Sequence, residues 1–156
     1  MKISEVMKDI LWNTHPEHLT SWLDTQSVCY IGRGHRLVKK SSKRITRKES
    51  KDYFDKDIKK VERIANKLLK GLSNIPQNHF DVFCSLLFDY PEGYIENSSF
   101  YSLYMSDLRD EASERIMLWS FRRAQLFRTL RYRRTIDLEI YRNNNYDYKK
   151  VKANKI

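Results

Sequence analysis

Apolar residues recur at helical spacing along several stretches of this chain, separated by short alternating segments and polar connectors. Val6, Met7, Ile10 and Leu11 share one helical face behind a Ser4 cap, and Pro16 limits the far end, so helix one should end close to His15. Leu19 to Leu23 and Val28 to Ile31 read as two short strands joined by Asp24-Thr25-Gln26-Ser27, with Gly32 and Gly34 allowing close backbone approach. Thr46-Arg47-Lys48-Glu49 fits a capping box, and Phe54, Ile58, Val61, Ala65 and Leu68 then predict one long amphipathic helix that Gly71 stops. Phe80, Cys84, Leu87 and Phe88 predict a buried helix, Ser98 starts another, and Asp107 to Trp119 reads as a third. The tail from Asn143, with its run of asparagines, Tyr146, Tyr148 and lysines, reads as surface-bound or frayed.

Composition narrows the class without naming a partner. A chain of 156 residues, 40% hydrophobic and 13% aromatic, is one domain with enough apolar content to exclude disorder. The net charge of +10 favours anionic partners such as nucleic acid, cell wall or anionic lipid. Lys39 to Lys48 is a basic connector that reads as a solvated loop, with a nucleic-acid patch as the other reading. Cys29 and Cys84 are too few for a disulfide framework, fit a reducing compartment, and have no metal-ligand companions at useful spacing. Neither a metal nor a cofactor is expected. No segment approaches the roughly 18 consecutive apolar residues of a membrane span, and charges run through the place where a signal peptide needs its apolar core. The expectation is synthesis in the cytoplasm, with any role at the cell wall needing help from outside the chain.

The stretch from His15 to His35, ending Ile31-Gly32-Arg33-Gly34-His35, resembles the active-site hairpin of the phage-type lysozymes, the muramidase family of tailed-phage endolysins. That pattern runs Glu, eight residues, Asp or Cys, five residues, Thr, then Ile-Gly-x-Gly-His; counted without a gap it places His15 at the Glu, Asp24 at the Asp and Tyr30 at the Thr. Leu19 and Trp22 occupy the family's apolar and aromatic places in this register. A rival register makes Glu17 the acid, since Glu17-His18-Leu19 imitates the family's Glu-Gly-Leu and a two-residue deletion keeps strand faces in phase. Farther on, Gln77 to Gly93 resembles the family's Gln-x-x-Phe-Asp segment, with Asp89 for Asn and Pro91 for Gly. Ser98-Ser99-Phe100 matches its Ser-Thr-Leu. Trp119, Phe127, Leu130, Arg133, Arg134, Asp137 and Tyr141 fall on its last set of offsets.

The resemblance implies an α+β, lysozyme-like domain over 1–156, with a sheet lobe at about 15–45, a bridging helix at about 47–70, a helical lobe at about 75–142 and a tail at 143–156. Hydrolysis with inversion in this family needs a protonated carboxylic acid on one side of the scissile bond and a carboxylate plus hydroxyl placing water on the other, the carboxyls standing roughly 6.5 to 9.5 Å apart. Asp24 still suits the water. An imidazolium at His15 adds positive charge beside an oxocarbenium ion, and the Tyr30 ring fills space that a Thr leaves open. The expectation is therefore a catalytically degenerate relative whose cleft binds peptidoglycan glycan or an acidic protein partner, in lysis control or host interference. The alternative is an active endolysin cleaving the MurNAc-GlcNAc bond with Glu17 as acid and Asp24 placing water. Endolysins of this family usually reach the wall through a membrane-permeabilising holin.

A further reading is nucleic-acid binding by residues 121–134, which hold six arginines and no acid. The family pattern accounts for Arg133 and Arg134, leaving Arg122, Arg123, Arg128 and Arg131 as the excess. Arg33 replaces what is commonly an apolar or aromatic family residue and is a candidate contact for an acidic partner, the other reading being that it simply faces water. His35 is expected to be a hydrogen-bonding partner within its lobe, and His18 and His79 to be surface residues.

Overall fold

The structure, a computed structural model, describes residues 1–24, 27–122 and 125–151, the side chains at 122, 125 and 126 excepted. Ser4 accepts from the Met7 amide at 3.2 Å and starts α1 (Glu5–Thr14), which buries Met7, Ile10 and Leu11. The helix stops at His15, whose backbone is extended, as the residue before a proline prefers.

Strands β1 (His18–Leu23), β2 (Cys29–Gly32) and β3 (His35–Arg36) form an antiparallel sheet in that order. Thr25 and Gln26 of the expected turn lie outside the described residues. Trp22 pairs with Tyr30 and Tyr30 with Arg36, so these three side chains stand in a row on one face of the sheet. On the other face Cys29 and Ile31 are buried. The end of the basic connector is not wholly a loop: the Ser21 amide donates to the Lys43 carbonyl and the Ile45 amide to that of Leu19, covering the free edge of β1.

The capping box at Thr46 and Glu49 is present, and α2 (Arg47–Leu68) buries Phe54, Ile58, Val61, Ala65 and Leu68, the stripe that the spacing predicts. Gly32 lies against it. A Cβ there would stand 3.2 Å from Ser50 Oγ on a backbone with φ +63°, so both conformation and space require glycine. Next comes α3 (Gln77–Asp89), buried at every position from Phe80 to Leu87, which makes it the central helix of the larger lobe.

Around α3 pack α4 (Glu92–Glu96), α5 (Ser99–Met105), α6 (Arg109–Arg115) and α7 (Arg128–Asn143). The helix expected over Asp107 to Trp119 is shorter, because Asp107 adopts a left-handed φ of 61° and the chain tightens to a 3-10 turn at Ile116–Ser120. Two strands that the spacing does not predict follow, β4 (Phe121–Arg122) paired with β5 (Gln125–Leu126). Thus a small sheet lobe is joined through α2 to a helical lobe.

The tail differs from expectation. Tyr146 donates to Asp81 at 2.7 Å, and Tyr146, Tyr148 and Val151 pack against the core, so the chain as far as 151 is docked. His79 also differs, being half-buried and stacked flat on Tyr141 at 3.9 Å, with Nδ1 3.3 Å from Tyr104 Oη. Burial, and next the Arg109 charge, push its pKa down to about 4. The unfolded chain then takes up this proton first, so the stabilisation is full above about 6.5 and is lost as the pH falls through that value towards 4. With screening at a half-buried ring, about 1–2 kcal/mol should disappear between pH 7 and pH 4. Urea unfolding of the natural chain beside His79→Phe, which keeps the stack without the titration, measures it.

Candidate functional site

His15 ends α1 directly beneath the sheet, and it is 6% exposed. Its Nδ1 lies 2.8 Å from the Leu11 carbonyl oxygen and its Nε2 lies 3.1 Å from Asp89 Oδ1. Its ring also packs edge-on against Phe88, with centroids 4.8 Å apart. Both ring nitrogens therefore lie against acceptors of the protein itself.

Asp89 is the centre of this cluster. Arg133 donates to it from Nε at 3.0 Å and Nη2 at 2.8 Å, and Arg134 from Nη2 at 3.0 Å. Arg134 is wholly buried and its Nε also lies 2.6 Å from Asp137 Oδ2. The carboxylate sits at the C-terminal end of α3, where the helix dipole disfavours negative charge, so it needs these cations. Burial opposes its ionisation, but Arg133, His15 and Arg134 outweigh that and hold its carboxyl well below the usual carboxylate range.

Above the cluster, Tyr30 stands in the cleft. Its ring stacks on Trp22 with centroids 5.1 Å apart, and two cavities of about 660 and 420 Å³ are both lined by Asp24, Tyr30 and Asp89. Asp24 is at the turn between β1 and β2, where Oδ1 accepts from the Val28 amide at 2.9 Å. Glu17 lines neither cavity; its carboxylate is 3.9 Å from Arg47 Nε at the start of α2.

The remaining candidate residues are dispersed. Arg33 donates through Nη1 to the Trp12 and His15 carbonyls at 2.6 and 2.5 Å and lies 3.9 Å over the Trp12 ring, so it satisfies carbonyls that the end of α1 leaves without helical partners. His35 Nδ1 is 3.0 Å from both oxygens of Asp57 on α2, and its ring stacks on Tyr53 at 4.2 Å. That bond ties the sheet to the bridging helix. His18 is exposed beside Trp22. Arg128 is exposed and Arg131 half-buried, the Arg122 side chain and Arg123 lie outside the described residues, and Arg133 and Arg134 are engaged by Asp89. Among the described residues no three metal-ligating side chains converge, and no helix is long and apolar enough to cross a membrane.

Spacing alone does not point to Asp89 as the partner of His15. The available signal was the joint occurrence of two departures from the resembled pattern, His for Glu and Asp for Asn, which together exchange a carboxylate across one contact. Arg36 and Arg115, which line the larger cavity, carry no sequence signal at all.

Comparison with known proteins agrees with this architecture. No curated protein sequence matches the chain. Among solved structures, the muramidase domain of SpmX from Asticaccaulis excentricus superposes with a TM-score of 0.76 at 18% identity, covering 90% of this chain and 97% of that one. The endolysin of Escherichia coli O157:H7 phage FAHEc1 gives 0.74 at 20% identity, covering 94% and 96%. A mutant P22 lysozyme gives 0.69 at 22%, covering 90% and 98%. At such identities these likenesses speak for the fold. The sequence model of the phage lysozyme family matches residues 17–137, most of the chain and every element from the sheet to α7, and the protein belongs to that family.

Proposed function

We propose that this chain is a phage lysozyme homologue that has lost hydrolysis and acts by binding in its cleft. One observation carries the reading: at the place where the resemblance puts the acid, His15 directs both ring nitrogens at the Leu11 carbonyl and Asp89. A general acid must present its proton to the leaving oxygen, and here both ring nitrogens are held against the protein's own oxygens. Tyr30 adds a second obstacle, since its ring takes up volume beside Asp24 where a water would have to be held. Asp24 alone supplies one of the two carboxyl roles that inverting hydrolysis requires.

The test is release of reducing ends from purified peptidoglycan. The natural chain is expected to release none above background, and Glu17→Gln to change nothing. Release that disappears in Glu17→Gln would restore the active-endolysin reading.

A further inference from the structure

The larger cavity, about 660 Å³, receives two guanidinium groups from opposite lobes. Arg36 comes from β3, next to Tyr30 across the strand pair, and Arg115 ends α6. Both are exposed, and neither has an ion pair among the described residues. Three other charged residues near the cleft are engaged: Arg33 by carbonyls at the end of α1, Arg133 by Asp89, and Asp89 by Arg133 and Arg134 with His15 beside it. Asp24 lines the same cavity, so among the described residues its wall sets two guanidinium groups against one carboxylate besides Asp89, and the balance is positive.

Apolar surface surrounds that charge. Tyr94, Leu118 and Phe121 line the same cavity while 67%, 56% and 45% exposed, forming a lip of the kind that a partner usually covers. Among the described residues neither cavity has an Asn or Gln in its wall. A glycan strand carries hydroxyls on every ring and loses affinity wherever they are buried without partners, whereas the described walls offer two guanidinium groups beside an apolar lip. A carboxylate next to an apolar side chain has what it needs, since guanidinium groups bind carboxylates in a planar fork and the lip takes the hydrophobe.

We infer that this cavity, where Arg36 and Arg115 face a common aromatic-lined space, docks an acidic segment of a partner protein that interleaves carboxylates with Leu or Phe. The inference rests on the cleft being a binding surface and names what fills it.

Fluorescence anisotropy of the full chain with short labelled peptides tests it. One probe alternates Glu with Leu and Phe, one carries the same Glu residues among Ser, and one has Gln in place of every Glu. The mixed probe should bind about 10-fold more tightly than either control. Arg36→Gln and Arg115→Gln should each weaken it about 5-fold or more without moving the thermal midpoint, because both side chains are exposed. Arg128→Gln, outside the cavity, should leave it unchanged. Equal binding of the Glu-Ser probe, or none of the mixed one, overturns the inference. So does retention on peptidoglycan without reducing-end release that the same two variants reduce, an outcome that leaves the proposed function standing. Reducing-end release by the natural chain overturns both.

Discussion

The triple variant His15→Glu, Asp89→Asn, Tyr30→Thr is expected to release reducing ends from purified peptidoglycan where the natural chain is silent. The argument turns on what faces Arg133. In the resembled pattern an acid stands at the end of helix one and an amide at the end of the central helix; here the imidazole of His15 and the carboxylate of Asp89 stand 3.1 Å apart in those places. The cluster keeps one carboxylate but has moved it to α3, where Arg133 and Arg134 hold it ionised and it has no proton to give. His15→Glu alone would press a second carboxylate against Asp89, and like charges at that separation cannot both ionise without cost. The single variant should therefore remain near background. Adding Asp89→Asn returns the carboxyl to α1, and Tyr30→Thr reopens the volume beside Asp24. A working general acid contributes about 10² to 10⁴ in rate, so the gain should be visible in an ordinary end-point assay. Full activity from His15→Glu alone would show that the exchange with Asp89 is immaterial. A folded but silent triple variant would place the loss elsewhere in the cleft.

Local physics made much of this fold legible. The capping box at Thr46, the stripe from Phe54 to Leu68 and the stop of α1 before Pro16 each follow from neighbours a few residues away. The α+β frame and the family followed from spaced motifs. What the sequence hid lies between residues far apart along it. Asp89 meets His15 across 74 positions and Tyr146 reaches Asp81 across 65, and nothing in either local pattern announces the partner. The two-residue strands β4 and β5 are too short to show any period. Arg33 illustrates a subtler miss. Its charge stood out where the family is apolar, which suggested an external partner, yet the carbonyls at the end of α1 are unsatisfied acceptors within its reach. His79 reads as a surface residue because it has no partner at metal-ligand spacing, while its stacking partner Tyr141 arrives from α7.

The largest stability effect should come from Asp89→Asn on its own, a loss of about 3–5 kcal/mol in urea unfolding. Removing one partner of a buried ionic cluster leaves the others charged and without compensation, and here Arg133, Arg134 and His15 all direct donors at the same carboxylate. Arg134 keeps Asp137 as a second anion, so the uncompensated charge falls mainly on Arg133. Since the Asp89 carboxyl is held well below the usual range, its contribution is present above the unfolded carboxylate value and is lost only as the pH falls through the lowered one. Asp89→Asn should accordingly flatten the acid limb of the stability curve as well as lower its plateau. Introducing His15→Glu alongside it should recover most of the loss, because the carboxylate then approaches the same arginines from the other helix. That recovery separates charge from packing: a site destabilised merely by altered shape would grow worse with a second substitution, whereas one that needs a single anion, on either wall, improves. A cost below about 1 kcal/mol for Asp89→Asn, the size of an exposed pair, would mean that charge does not hold the cluster together, and the reasoning behind the triple variant would fail with it.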